Sequence, residues 1–177
     1  MDPRWNINLG ELLVSLGEDL EKKGLQDTPE RAVRAWGELL EGHKLSPKEI
    51  LGTTFEAEGI GIQMCANINF FSICEHHLLP FFGTVTIVYQ PNTQVAGLSK
   101  LARLVDCYAR RLQIQERMTQ QVADALFEHL SPKGVLVICK AKHLCCHGRG
   151  IRRSQMEFKT QAESGEVSDA FWRMLQC

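Results

Sequence analysis

The chain has 177 residues and a mass of 20.0 kDa, long enough to bury a core and too short for two large lobes. One domain is therefore expected, with an N-terminal helical part over 1–60 and a sheet-and-helix part over 61–177. Apolar residues at 44% and charged residues at 23% exclude disordered and collagen-like classes, and no apolar run approaches the roughly 18 residues that span a bilayer. Lys and Arg number 20 against 21 Asp and Glu, a net charge of −1, which speaks against bulk nucleic-acid or membrane binding and still allows a local anion site.

The N-terminal residues lack a basic flank followed by an apolar stretch, so no secretory leader is expected. Cys65, Cys74, Cys107, Cys139, Cys145, Cys146 and Cys177 make an odd set of 7, unlike a small disulfide scaffold. Reduced thiols and a cytoplasmic location are expected. Leu9, Leu12, Leu13, Leu16 and Leu20 recur at helical spacing. A second helix should start at Asp27-Thr28-Pro29-Glu30-Arg31, with Thr28 capping free amides and Pro29 in the first turn, and should stop near Gly42. From about residue 62 the period becomes two: Ile68, Phe70 and Ser72 alternate with Asn67, Asn69 and Phe71, and residues 83–89 are rich in β-branched side chains. Residues 90–93 read as a turn, 99–111 and 114–130 as helices, 135–141 as a buried strand, and 155–162 as a half-exposed strand before a short terminal helix. The order implies an α+β fold with a mainly antiparallel sheet.

Three clusters carry chemistry. Cys74-Glu75-His76-His77 closes one strand and His143-Leu144-Cys145-Cys146-His147 closes another. Thiolate and imidazole are ligands zinc prefers, and three protein ligands with a fourth position open would mark a catalytic site. Read as neighbours on an extended segment, Cys145 and Cys146 point to opposite faces, and spacing does not say which one ligates. Cys65, Cys107 and Cys139 read as core fillers. In the second cluster, Ser99, Lys100 and Arg103 lie at a helix start, an arrangement that suits phosphate and equally suits a capped helix with solvated cations. In the third, Gln115 and Glu116 open a helix; a carboxylate can accept two hydrogen bonds from a guanine edge and an amide can read its carbonyl, although such residues also simply favour a first turn.

Taken with Asp27-Thr28-Pro29-Glu30-Arg31, Gly97-Leu98-Ser99-Lys100-Leu101-Ala102-Arg103, Gln113-Ile114-Gln115-Glu116-Arg117 and Arg149-Gly150, these motifs, in order across most of the chain, resemble the type I GTP cyclohydrolase family. The resemblance implies a tunnelling fold, with an antiparallel sheet backed by helices, assembled as a toroidal homodecamer with active sites between subunits. It implies conversion of GTP to 7,8-dihydroneopterin triphosphate plus formate. It also implies zinc on Cys74, His77 and Cys145, proton handling by His76 and His143, and a ribose and triphosphate grip by Ser99, Lys100, Arg103 and Arg149. Arg31 would come from a neighbouring subunit, and Gln115 and Glu116 would hold guanine. Residues 151–165 depart from the family's usual Ser/Thr-rich strand in composition. The alternatives to the full reaction are a homologue that acts at carbon 8 and stops before pterin closure, and an idle purine- or pterin-binding protein.

Overall fold

The leucine spacing at the start of the chain forms helix α1, Arg4–Ser15, which ends short of the expected Leu20. Gly17 adopts a φ of +93° that L side chains avoid, and the Leu16 amide closes the last turn onto Leu12 and Leu13. The computed structural model describes residues 4–59 and 61–176; Cys177 and the Met1-Asp2-Pro3 start lie outside them. Helix α2, Thr28–Leu39, begins one residue earlier than a Thr28 cap would allow. Asp27 holds the cap position without a side-chain bond, while the Thr28 hydroxyl donates back to the Gly24 carbonyl at 3.4 Å. Thr28 is thus the first helical residue rather than the cap. The two helices pack together and make up one unit, Met1–Leu40; the rest of the chain forms the other, Glu41–Cys177.

The second unit reclaims a stretch expected to go with the N-terminal helices. A 3₁₀ turn, Glu41–Lys44, is pinned by the Gly42 amide on the Arg110 carbonyl at 2.8 Å. Helix α3, Pro47–Leu51, is capped by the Ser46 hydroxyl, which accepts from the Glu49 amide. Strand β1, Thr54–Glu56, pairs with β4, Gln94–Ala96, after β2, Gln63–Cys74, and β3, Pro80–Gln90. Helix α4, Leu98–Ala109, is followed by the two-residue strand β5, Leu112–Gln113, and by α5, Gln115–Leu130. Strand β6, Gly134–His143, runs into the one-turn helix α6, Leu144–His147; β7, Phe158–Gly165, and α7, Asp169–Met174, complete the chain. The main sheet has the order β5-β2-β3-β6-β7, antiparallel throughout except where β5 lies parallel to the end of β2. The expected α+β class holds.

Helices α4 and α5 cover one face of this sheet. Leu101, Leu104 and Val105 of α4 and Met118, Val122 and Leu126 of α5 meet Val85, Ile87, Val137 and Cys139, all essentially without solvent exposure. The opposite face is closed at one end by Phe171 of α7 over Val88, Leu136 and Ile138. Burial on both faces explains why residues 135–139 are apolar without alternation. Asn67, at a φ of +58°, takes up a bulge between Cys65 and Ile68, a left-handed conformation that asparagine tolerates well. Gly83 lets β3 approach β6 closely, since a Cβ there would run into the Lys140 carbonyl. Strand β7 starts at Phe158, later than the expected 155, because residues 148–157 form an exposed turn region instead. Among the described residues no helix is long and apolar enough to cross a membrane, and all six described cysteines are free.

Candidate metal centre and active site

The end of β2 and the start of β3 are joined by a tight loop that presents the first two candidate ligands. The Cys74 amide donates to the Leu79 carbonyl at 2.9 Å, and the Leu78 amide returns to the Cys74 carbonyl at 2.9 Å. Leu78 pays for this closure with a φ of +53°, in the left-handed region. Within the loop, Cys74 Sγ lies 3.8 Å from His77 Nδ1. The third candidate arrives from β6. That strand ends at His143, and the chain coils at once into α6, so Cys145 and Cys146 lie on a helical turn and not on the extended segment expected. Their sulfurs are therefore 3.9 Å apart rather than on opposite faces. Cys145 is the one turned to the loop. The ligand atoms of Cys74, His77 and Cys145 all lie within 4.8 Å of one another.

The donor set fits zinc: two sulfurs and an imidazole nitrogen, with Cys74 and Cys145 buried and His77 exposed. Burial, together with the neighbouring sulfurs of Cys146 and Cys74, pushes the Cys145 thiol up to about 11. Sulfurs brought together out of water resist ionising, and a divalent cation reverses that balance by stabilising the thiolates directly. Cys139 shows the contrast. Burial raises its thiol to about 12 in an apolar layer of β6, where it fills space.

The loop is braced from the neighbouring β5–α5 corner. The Glu75 amide donates to the Gln113 carbonyl at 3.0 Å, and the Arg117 guanidinium pairs with the Glu75 carboxylate. Arg117 Nε also donates to Gln113 Oε1 at 3.1 Å. The Gln113 amide nitrogen in turn reaches the Tyr108 carbonyl at 3.0 Å and Gln121 Oε1 at 2.8 Å. Sequence reasoning gave Glu75, Gln113 and Arg117 no role; the legible signal was the run of long polar side chains at the start of α5.

His143 is half-buried, with its ring stacked on Phe81 at a centroid distance of 4.6 Å and 4° between planes. Its Nε2 lies 2.9 Å from Gln115 Oε1. Burial lowers its pKa from the ordinary value, opposed by the nearby Glu116 carboxylate. Gln115, expected beside a guanine, lies in the interior. Its side chain has no solvent exposure, and its amide nitrogen lies 3.1 Å from each of the Cys139 carbonyl, the Phe158 carbonyl and Thr160 Oγ1. Both ends of the amide are engaged inside the protein. Glu116 is exposed, as are His76, Ser99, Arg103 and Arg149, with Lys100 partly buried. His76 packs edge-on to His77 at 6.2 Å. Ser99 and Lys100 open α4 behind the Gly97 cap, and Arg103 follows one turn later. Arg149 lies in the turn region after α6, which is tied back by the Arg153 amide on the Cys146 carbonyl at 2.8 Å. Arg31 belongs to the N-terminal unit, where its guanidinium meets the Gly24 carbonyl, Thr28 Oγ1 and Asp27.

The sequence profile of the GTP cyclohydrolase I family matches residues 6–174. The chain belongs to the GTP cyclohydrolase I family. Relatives named GTP cyclohydrolase 1 include one from Wolinella succinogenes, 51% identical over 85% of this chain and 81% of its own length. Another, from Thermobifida fusca, is 45% identical over 96% of this chain and 83% of its own. A third, from Deinococcus radiodurans, is 46% identical over 88% and 72%. Membership of this family places the chain among the hydrolases. Among solved structures, the archaeosine synthase QueF-Like in the apo form shares the fold, with a TM-score of 0.50 at 20% identity over 63% of this chain and all of that one.

Proposed function

We propose that this chain hydrolyses GTP by opening the imidazole ring of guanine, releases carbon 8 as formate, and rearranges the remainder to 7,8-dihydroneopterin triphosphate. Zinc is held by Cys74, His77 and Cys145, and the assembly is a cytoplasmic toroidal homo-oligomer, a decamer, with sites shared between subunits. The observation that carries this reading is the convergence of those three ligand atoms to within 4.8 Å, with His143 at the N-cap of the turn that holds Cys145. Bound there, zinc supplies Lewis acidity and brings the pKa of a water to about 7.

The chain's own residues do the rest. Glu116 accepts hydrogen bonds from the N–H edge of guanine and sets the orientation of the base. His143 gives a proton to nitrogen 7, so that carbon 8 becomes open to attack. Once one water has broken the bond from carbon 8 to nitrogen 9 and a second has broken the bond to nitrogen 7, so that formate leaves, His76 and Ser99 handle protons on the ribose while it opens and rearranges. Lys100, Arg103 and Arg149, with Arg31 from a neighbouring subunit, hold the triphosphate, and this anchoring converts a slow encounter into a positioned reaction.

Incubation of purified protein with GTP tests the reading directly. The expected products are formate and a dihydropterin triphosphate identified by mass and fluorescent after oxidation. A ring-opened or 8-modified nucleotide with no fluorescent product would replace it with the shorter reaction. Lys100→Ala and Arg103→Ala should each weaken GTP binding far more than guanosine binding, by about 1.5–3 kcal/mol for a charge-assisted contact; equal losses for both ligands would remove these residues from the phosphate site.

A further inference from the structure

We propose that Gln115 is a positioning residue that holds His143 as its Nε2–H tautomer and leaves Nδ1 as the nitrogen that faces substrate chemistry. The hydrogen bonds around Gln115 permit one direction only. Its amide nitrogen sits 3.1 Å from two backbone carbonyls, those of Cys139 and Phe158. Carbonyl oxygens only accept, so the NH₂ end must point there, and the flipped amide would set oxygen against oxygen twice.

The remaining partners agree. The Thr119 hydroxyl donates to the main-chain carbonyl of Gln115 at 2.7 Å. With its hydrogen committed, Thr119 Oγ1 accepts from the Thr160 hydroxyl at 2.7 Å. Thr160 Oγ1 in turn accepts from the Gln115 amide nitrogen. These contacts close a ring in which each hydroxyl donates once and accepts once. The Gln115 oxygen is then left to accept, and its partner at 2.9 Å is His143 Nε2, which must carry the hydrogen.

The ring plane of His143 is set independently by the stack on Phe81 and by the edge of Phe158 at 6.2 Å and 73°. Stacking permits either face-preserving turn of the imidazole; Gln115 selects one. The register supports this division of labour, since Phe81 pairs with His143 across β3–β6 and Phe158 pairs with Ala141 across β6–β7. One buried amide at the start of α5 thus joins the ends of β6 and β7 and fixes which nitrogen of His143 is spent. This assignment of Nδ1 to substrate rests on the proposed reaction, in which the imidazolium gives its Nδ1 proton to nitrogen 7 and is left as the Nε2–H tautomer; the tautomer itself does not.

Neutron diffraction from crystals of the zinc-loaded protein, grown at alkaline pD where the ring is neutral, decides the tautomer. Deuterium is expected on Nε2 with Nδ1 bare, and the Gln115 amide deuterons should point at Cys139 and Phe158. Deuterium on Nδ1 would overturn the proposal, whatever the substrate proves to be. Kinetics then test the coupling. Gln115→Met should lower kcat with GTP by about 10- to 100-fold with little change in KM and with zinc content retained. The same substitution in a His143→Asn background should cost nothing further, because its effect passes through the ring; losses that multiply would reduce Gln115 to a folding role. A wild-type protein that consumes no GTP would refute the proposed reaction while leaving the neutron result to judge the tautomer.

Discussion

Arg117 is the most informative residue to remove from the brace under the metal loop. Its side chain serves two partners of different burial: the Glu75 carboxylate, 32% exposed, and Gln113 Oε1, on a residue 2% exposed. Arg117→Met keeps the aliphatic stem and deletes both contacts. The ion pair is open enough to solvent that it contributes only about 0.2–1 kcal/mol. The Gln113 oxygen, however, loses a donor in a place water does not reach, at about 1–3 kcal/mol. Arg117→Met should therefore cost about 1–4 kcal/mol in total, while Glu75→Gln, which keeps a neutral acceptor, should cost under about 1 kcal/mol. The double variant should show coupling no larger than the ion pair. Urea denaturation of zinc-stripped protein at one fixed concentration measures all three. In parallel, competition against a chromogenic chelator should show zinc affinity falling about tenfold or more in Arg117→Met, since the brace orients the loop that holds Cys74 and His77. If the two single variants lose the same stability, Arg117 does not sustain the Gln113 oxygen, and the brace reduces to a surface salt bridge.

Other outcomes follow from the same geometry. Cys145→Ser should abolish tight zinc binding and Cys146→Ser should retain it, with metal content read after dialysis; the reverse pattern would mean that the wrong neighbour has been assigned. Leu78→Gly should be neutral or stabilising by up to about 1 kcal/mol in thermal unfolding, because φ is +53° there and the side chain is 45% exposed. Leu78→Val should destabilise by more than that, a β-branched residue being least suited to this conformation. Burial keeps the folded pKa of His143 below the ordinary 6.5. As pH falls below 6.5, the unfolded chain takes up that proton before the folded one does, so stability should decline with acidification until the lowered folded pKa is passed. In zinc-stripped protein the slope should be shallower for His143→Gln than for wild type. Equal slopes would show that His143 makes no contribution to it.

The candidate metal cluster was legible in the sequence because its chemistry is local. Cys74 and His77 share one loop, and the Cys145–Cys146 pair follows directly on a strand. Choosing between Cys145 and Cys146 was not possible from a strand period, since the chain abandons that period at Leu144 and the helical turn changes the direction of both sulfurs. The fate of Gln115 was hidden for a different reason. A polar residue at the first position of a helix normally meets solvent, and nothing nearby in sequence reveals that Cys139, Phe158 and Thr160 converge on it. The same holds for β5: two residues are too few for a periodic signal, and their parallel pairing with Ile73 and Cys74 is decided by where α4 ends. Strand alternation, by contrast, was readable at Ile68, Phe70 and Ser72, which are buried as expected.

The separation of the ligands along the chain constrains when a metal can bind during folding. Cys74 and Cys145 lie roughly seventy residues apart, and closing a flexible loop of that length costs about 4 kcal/mol in chain entropy before any contact repays it. A cation captured early would have only Cys74 and His77 to hold it, two ligands on a loop whose left-handed Leu78 is not yet enforced. Zinc at the proposed site would therefore be a poor nucleus for this chain. Collapse of β3 against β6, which pairs Phe81 with His143, would bring Cys145 to the loop first, and an ion would then enter a finished cage. Refolding rates should be nearly independent of added zinc, while unfolding should slow as its concentration rises, because the occupied site must be vacated or torn open before the β3–β6 ladder can separate.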